Sequence, residues 1–148
     1  MQSKERYFVL PNQSIRDIPR DVENLYFGGY ENEENFIALD LSSIGFTQLR
    51  LITIGNNCFD NVREFVLDGL EKLESVKIGA SCFRISDERR DDGVCRIANC
   101  PNLRELEFGN GDFADFNQFE LSNVNSLQSI TFGGWCFGYA ESCILKGE

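Results

Sequence analysis

Leu73-Glu74-Ser75-Val76-Lys77-Ile78-Gly79-Ala80-Ser81-Cys82-Phe83 settles how this 148-residue chain is read, because its pattern comes back four more times. Each copy is an aliphatic residue, two variable ones, an aliphatic, one variable, a large apolar residue and Gly. The others are Val22-x-x-Leu25-x-Phe27-Gly28, Leu49-x-x-Ile52-x-Ile54-Gly55, Leu103-x-x-Leu106-x-Phe108-Gly109 and Leu127-x-x-Ile130-x-Phe132-Gly133. Cys-Phe follows at Cys58-Phe59, Cys82-Phe83 and Cys136-Phe137, with Asp112-Phe113 as the variant. About ten residues past the glycine comes a second apolar alternation, as in Phe65-Val66-Leu67, Phe119-Glu120-Leu121 and Cys143-Ile144-Leu145. Gly55 to Gly79 and Gly109 to Gly133 are both 24 residues apart, which sets the period. The gap from Gly79 to Cys95 is longer by six residues and that from Gly28 to Leu39 by one. Such insertions suit surface loops, whose closure entropy grows slowly with length.

A unit this short cannot bury its own apolar face and must stack on its neighbours. Both apolar pieces run at period two, which is strand spacing. The predicted fold is a repeat solenoid, mainly β, with about five stacked coils of ~24 residues and short parallel strands in two stacks. The glycine after the strand is read as a turn needing positive φ or as a close backbone approach. Gly93, inside the unmatched insertion, is expected to accept a side chain more readily than Gly79.

These residues resemble the leucine-rich repeats, particularly their irregular BspA-like branch, where a short Leu-x-x-Ile-x-Ile strand precedes a loop and a buried small-residue-plus-Phe pair. The resemblance covers roughly Val22 to Gly147, with Gly where the typical unit carries Asn. It implies a stacked right-handed coil, leucine-rich-repeat-like.

Residues 1–21, with Phe8-Val9-Leu10, Ile15 and Ile18 but no full unit, are expected to form an N-terminal cap, and 22–148 a single solenoid domain. The apolar run Tyr7 to Leu10 is too short for a secretory h-region, and no stretch is long enough for a membrane span. Only Lys146, Gly147 and Glu148 follow Leu145, so the array is expected to be truncated or open at its C-terminal end. A partner chain, as in an end-to-end homodimer through the C-terminal coil, would cover it. The segments Gly29 to Asn35 and Arg84 to Gly93 read as polar and charged loops.

The formal charge of −10 opposes binding to a phosphate backbone, so no nucleic-acid partner is expected, and no membrane. Six Cys occur without any His. Cys58, Cys82 and Cys136 share one column, Cys95 and Cys143 stand where other units have Phe65 and Phe119, and Cys100 stands where they have Leu70 and Val124. All six are core positions, which predicts free thiols and a cytoplasmic, reducing setting. The Phe residues in register, Phe59, Phe83, Phe113 and Phe137, read as a stacked core column.

Nothing in the sequence calls for catalysis, a cofactor or a metal. There is no His base, no phosphate cradle and no nucleophile elbow. Asp112, the carboxylate in a Cys column, and Asp87, Asp91 and Asp92 near Gly93, whose spacing fails the EF-hand pattern, are the residues a weak enzyme alternative would use. The function expected is a non-enzymatic protein–protein interaction module, the alternative being a structural spacer or fragment of a larger repeat protein. Its binding residues would be the outward positions of the first strand stack: Tyr26, Thr53, Lys77, Glu107 and Thr131, flanked by Arg50, Glu74, Arg104 and Gln128. Flat strands imply no deep pocket, so the partner expected is a protein.

Overall fold

The computed structural model describes residues 5–9, 14–28, 38–42, 44–60, 62–85 and 93–137, and the backbone of 142–146. In chain order the elements are β1 (Tyr7–Val9), a 3₁₀ turn (Ile15–Asp17), β2 (Asn24–Phe27), β3 (Ala38–Asp40), β4 (Leu51–Ile54), β5 (Glu64–Asp68), β6 (Ser75–Ile78), β7 (Gly93–Ala98), β8 (Glu105–Phe108), β9 (Phe116–Ser122), β10 (Ser129–Phe132) and β11 (Ser142–Lys146). One sheet has the order β1-β2-β4-β6-β8-β10 and the other β11-β9-β7-β5-β3. Among the described residues every pairing is parallel. Parallel neighbours cannot be joined by a tight hairpin. From β2 onward the chain therefore changes sheet at every step, and each strand of one sheet is the connection between two strands of the other.

Period-two alternation decides which side chains go inside. In β6, Val76 and Ile78 are buried while Lys77 is exposed. The register carries this across the sheet, aligning Leu25, Ile52, Val76, Leu106 and Ile130 in one row and Phe27, Ile54, Ile78, Phe108 and Phe132 in another. The first four members of each row are buried, each contributing about 1.5–3 kcal/mol. In the second sheet Cys95 lies between Phe65 and Phe119, as the sequence spacing requires, and is fully buried.

The segments after β4, β6, β8 and β10 solve a harder problem. Two residues in each, two positions apart, take left-handed φ: Asn57 and Phe59, Ser81 and Phe83, Gly111 and Phe113, Trp135 and Phe137. A left-handed Phe costs on the order of 1 kcal/mol. Interlocking hydrogen bonds and ring stacking offset this. The Ser81 N–H reaches forward to the Asn110 carbonyl at 2.8 Å, and the Phe83 N–H reaches back to the Cys58 carbonyl at 3.0 Å. Gly111 and Phe113 repeat the scheme with Gly134 and Cys82. The rings stack in succession, Phe59 on Phe83 at 5.2 Å, Phe83 on Phe113 at 4.5 Å and Phe113 on Phe137 at 5.0 Å. Each such pair contributes about 0.5–1.5 kcal/mol beyond its buried area.

The glycines that follow the strands do not all answer to one demand. None of the five has positive φ, which is taken instead by Gly45, Gly69 and Gly111. A Cβ on Gly79 would lie 2.9 Å from the Asn56 nitrogen, on Gly109 2.8 Å from the Ala80 nitrogen and on Gly133 2.5 Å from the Asn110 nitrogen. Close backbone approach is the reason at these three. At Gly55 the nearest atoms are at ordinary contact distance, and at Gly28 only the Tyr26 ring is near. Gly93 overturns its expectation. It is the first residue of β7, is buried at an irregularity in the β7–β9 pairing, and a Cβ there would meet the Phe116 ring at 2.5 Å.

The expected polar loop at 29–35, the Asp87, Asp91 and Asp92 cluster, the Cys143 side chain and the last two residues lie outside the described residues. Among those described, no helix is long and apolar enough to cross a membrane.

Candidate functional site

The first sheet turns its polar rows outward. Register places Tyr26, Thr53, Lys77, Glu107 and Thr131 side by side across β2, β4, β6, β8 and β10. A second row runs just ahead of the strands, where the Glu74 N–H bonds the Arg50 carbonyl, the Arg104 N–H bonds that of Glu74, and the Gln128 N–H bonds that of Arg104, all at 2.8–2.9 Å. Both rows were legible as outward positions.

Their side chains add what the spacing could not. Arg50 Nε donates to Glu74 Oε2 at 2.7 Å, and Arg104 Nη2 donates to Oε1 of the same carboxylate at 2.8 Å. Glu23 completes the alternation at 3.9 Å from Arg50. The Arg50 hydrogen bond, with Arg104 on the other side, holds the Glu74 carboxyl below the usual carboxylate range. Because these groups are exposed, the network adds little to stability and instead fixes where the charges sit.

The face is not flat. A groove of about 470 Å³ is lined by Leu51, Thr53, Glu74, Ser75, Lys77, Arg104, Glu105, Gln128 and Ser129, with Ile52 beneath. An adjoining recess of about 550 Å³ shares Glu74 and Arg104 and adds Arg50, Lys72, Asn102 and Ser126. Of the expected binding residues, Thr53, Glu74, Lys77, Arg104 and Gln128 converge on the groove and Arg50 on the recess. Glu107 and Thr131 share the face without lining either. Tyr26 lies over the glycine row, its hydroxyl 3.5 Å from where a Gly55 Cβ would stand.

Three contributors escaped the sequence reading. Phe8 is exposed, pairs in register with Tyr26 and packs edge-on against its ring at 5.1 Å. Leu51 is an exposed apolar residue at the groove wall. Glu105 faces Lys77 at 3.8 Å. The signal for the first two was parity, since Phe8 and Leu51 each stand one place from a buried residue of their own strand.

Asp112 has a different office. It is fully buried, and its carboxylate accepts the Cys82 N–H at 2.9 Å and the Gly109 N–H at 2.8 Å. Burial pushes its carboxyl up to about 7, against the pull of those two amides. Both oxygens are thus engaged in joining adjacent strands. The neighbouring thiols are core groups as well. Cys82 Sγ donates to the Gly55 carbonyl and Cys136 Sγ to that of Gly109, both at 3.0 Å. A hydrogen bond with Cys58, together with burial, raises the Cys82 thiol, and burial alone raises Cys95. Thiols raised in this way stay protonated and are poor nucleophiles. Among the described residues no group of three His, Cys, Asp or Glu could hold a metal ion.

Comparison of the chain with protein-family models, with curated proteins and with solved structures finds no match in any of the three.

Proposed function

We propose that the chain is a protein-binding module whose outer face takes an extended, acidic segment of a partner protein, and that its two parallel sheets are the strand stacks of a leucine-rich-repeat-like solenoid. Charge is the observation that carries the binding reading. The chain has a net charge of −10, yet the lining of the groove and of the recess beside it carries Arg50, Lys72, Lys77 and Arg104 with Glu74 and Glu105, while Glu23 and Glu107 stand at its margin. A local cationic excess on an acidic molecule favours a carboxylate-bearing partner and steers its approach. Exposed Phe8, Tyr26 and Leu51 offer apolar anchors alongside, and rigid aromatic side chains of this kind carry much of the energy of protein contacts. Support for the stacked-coil reading comes from strand partners 24 residues apart, such as Leu51 with Ser75 and Glu105 with Ser129. Free thiols at Cys58, Cys82, Cys95, Cys100 and Cys136 support a reducing, cytoplasmic setting.

A random-peptide display library selected on the immobilised chain provides the test. Enriched peptides should carry Asp or Glu beside an apolar residue, and Arg104→Glu and Leu51→Glu should each weaken their binding about tenfold or more, a loss of about 1.4 kcal/mol. Peptides without acidic residues, or equal affinity for both variants with folding intact, would remove this face from consideration.

A further inference from the structure

Asn110 is the one asparagine of the chain that is followed by glycine. That order matters chemically, because the nitrogen of the following residue attacks the asparagine side-chain carbonyl most readily when no side chain crowds the five-membered ring that forms. Asn110 is exposed, and Gly111 sits at φ 77°. In the folded chain both reacting groups are held by one residue. Asn110 Oδ1 accepts the Gly134 N–H at 2.8 Å, and the Gly111 N–H donates to the Gly134 carbonyl at 2.8 Å. Asn56 has the same surroundings: its Oδ1 accepts the Ala80 N–H at 2.8 Å, and the Asn57 N–H donates to the Ala80 carbonyl at 2.9 Å. The two places differ in the attacking residue, Gly111 against Asn57. The backbone does not demand glycine here, since Asn57 and Ser81 take φ 60° and 61° at the matching positions of their own turns.

We propose that Asn110 is a self-modification site, converted through a succinimide to aspartate or isoaspartate, and that Gly134 is the guard that holds the reaction off in the folded chain. In the reaction the Gly111 N–H gives its proton to solvent base, its nitrogen bonds to Asn110 Cγ, and the side-chain nitrogen leaves as ammonia. Water then opens the ring at one of its two carbonyls, so no oxidant or reductant is needed. The hydrogen bonds explain the guard. The Gly111 proton is committed to the Gly134 carbonyl, and Asn110 Cγ is fixed with its oxygen toward the Gly134 N–H, so the two groups meet only when the turn 133–137 lifts. That turn is also tied down by the Gly133 N–H to the Phe108 carbonyl at 2.8 Å and the Phe137 N–H to the Asp112 carbonyl at 3.3 Å. Isoaspartate routes the main chain through the former side chain and adds one atom between residues 110 and 111. The bonds that Asn110 and Gly111 make to Ser81 and Gly134 then fall out of step, and the joint that delayed the reaction is dismantled by it. This chemistry belongs to the chain itself and goes beyond the binding proposed for the outer face.

Incubation in mildly alkaline buffer, with and without urea, followed by peptide mapping tests it. In urea Asn110 should convert first among the asparagines, with the mass gain of an amide turned acid, while Asn56 stays intact. The folded chain should convert Asn110 at least about tenfold more slowly, because reaction proceeds only through the locally opened state. Gly134→Pro removes the guarding N–H at a position where an added Cβ meets only Asn110 Oδ1 at 3.9 Å, and should speed conversion in the folded chain several-fold. Phe137→Ala loosens the same turn and should do likewise, which keeps the test decisive if the proline variant does not fold. Equal rates with and without urea would overturn the guard, as would a folded variant that converts at the wild-type rate. Another asparagine converting ahead of Asn110 in urea would overturn the site itself.

Discussion

Asn56 and Gly79 are fitted to one another: Asn56 Oδ1 accepts the Ala80 N–H at 2.8 Å, and the asparagine thereby fills the space that a side chain on Gly79 would need. Asn110 stands in the same relation to Gly133, accepting the Gly134 N–H at 2.8 Å. Gly79→Ala should therefore lower stability by about 1–3 kcal/mol, as overpacking against backbone does. Gly93→Ala should fall in the same range, because Phe116 cannot withdraw from the core. Gly28→Ala meets only a tyrosine ring edge at 3.1 Å and should change stability by less than about 1 kcal/mol, since the gain from a stiffer unfolded chain offsets the contact. Urea midpoints of the three variants check the order, and a Gly28 variant as weak as the Gly79 variant would contradict it.

Asp112 gives stability an unusual slope with pH. Its folded carboxyl is raised from 3.8 to about 7, so between these values the folded chain holds a proton that the unfolded chain has lost. Stability from this group is thus present in acid and falls as pH climbs from about 4 to about 7, by at most about 4 kcal/mol. Asp112→Asn removes the slope. Thermal unfolding at pH 4 and pH 8 should show the variant improving relative to the wild type at the higher pH; parallel curves would mean that the carboxyl is not perturbed.

The phenylalanine stack should weaken from the middle outward. Phe83 is enclosed by Phe59 and Phe113, and Phe83→Ala should cost about 3–5 kcal/mol. Phe137 is only half-buried, so Phe137→Ala should cost clearly less. Equal losses, read from denaturant unfolding, would show that the last ring is as enclosed as the inner ones.

Thiol chemistry should follow burial. Cys58, Cys82, Cys95 and Cys100 are fully buried and Cys136 partly so. Iodoacetamide applied to the native chain, followed by peptide mapping, should label Cys136 before any of these four. Early labelling of Cys95 would mean that the second sheet opens locally.

Parallel strands in two sheets, the buried rows and the outward rows were all legible, because period-two alternation and a fixed interval between like residues need no knowledge of tertiary contacts. Cys95 could be set between Phe65 and Phe119 from spacing alone. What escaped notice depended on side-chain direction. Arg50 and Arg104 converge on one carboxylate, and only the geometry turns the expected flat row into a groove. The left-handed Phe59, Phe83 and Phe113 carried no local signal, since Phe is ordinarily excluded from that conformation and is held there by neighbours 24 or more residues away. Gly93 was misjudged because its insertion has no counterpart in the other units, while its own constraint is the distant Phe116.

Because each strand from β2 onward is bonded sideways to the next strand of its sheet only after a full excursion through the other sheet, the molecule has a characteristic mechanical response. A force applied along the direction in which the strands succeed one another loads each strand pair as a zipper, breaking hydrogen bonds a few at a time instead of shearing them together. Under tension the chain should therefore pay out in steps, each freeing a segment the length of the sequence interval between paired strands. For partners 24 residues apart, as Arg50 and Glu74 are, the released contour is about 80 Å. The sheets would act as a low-force spool, lengthening under load and rewinding from whichever strands stay paired.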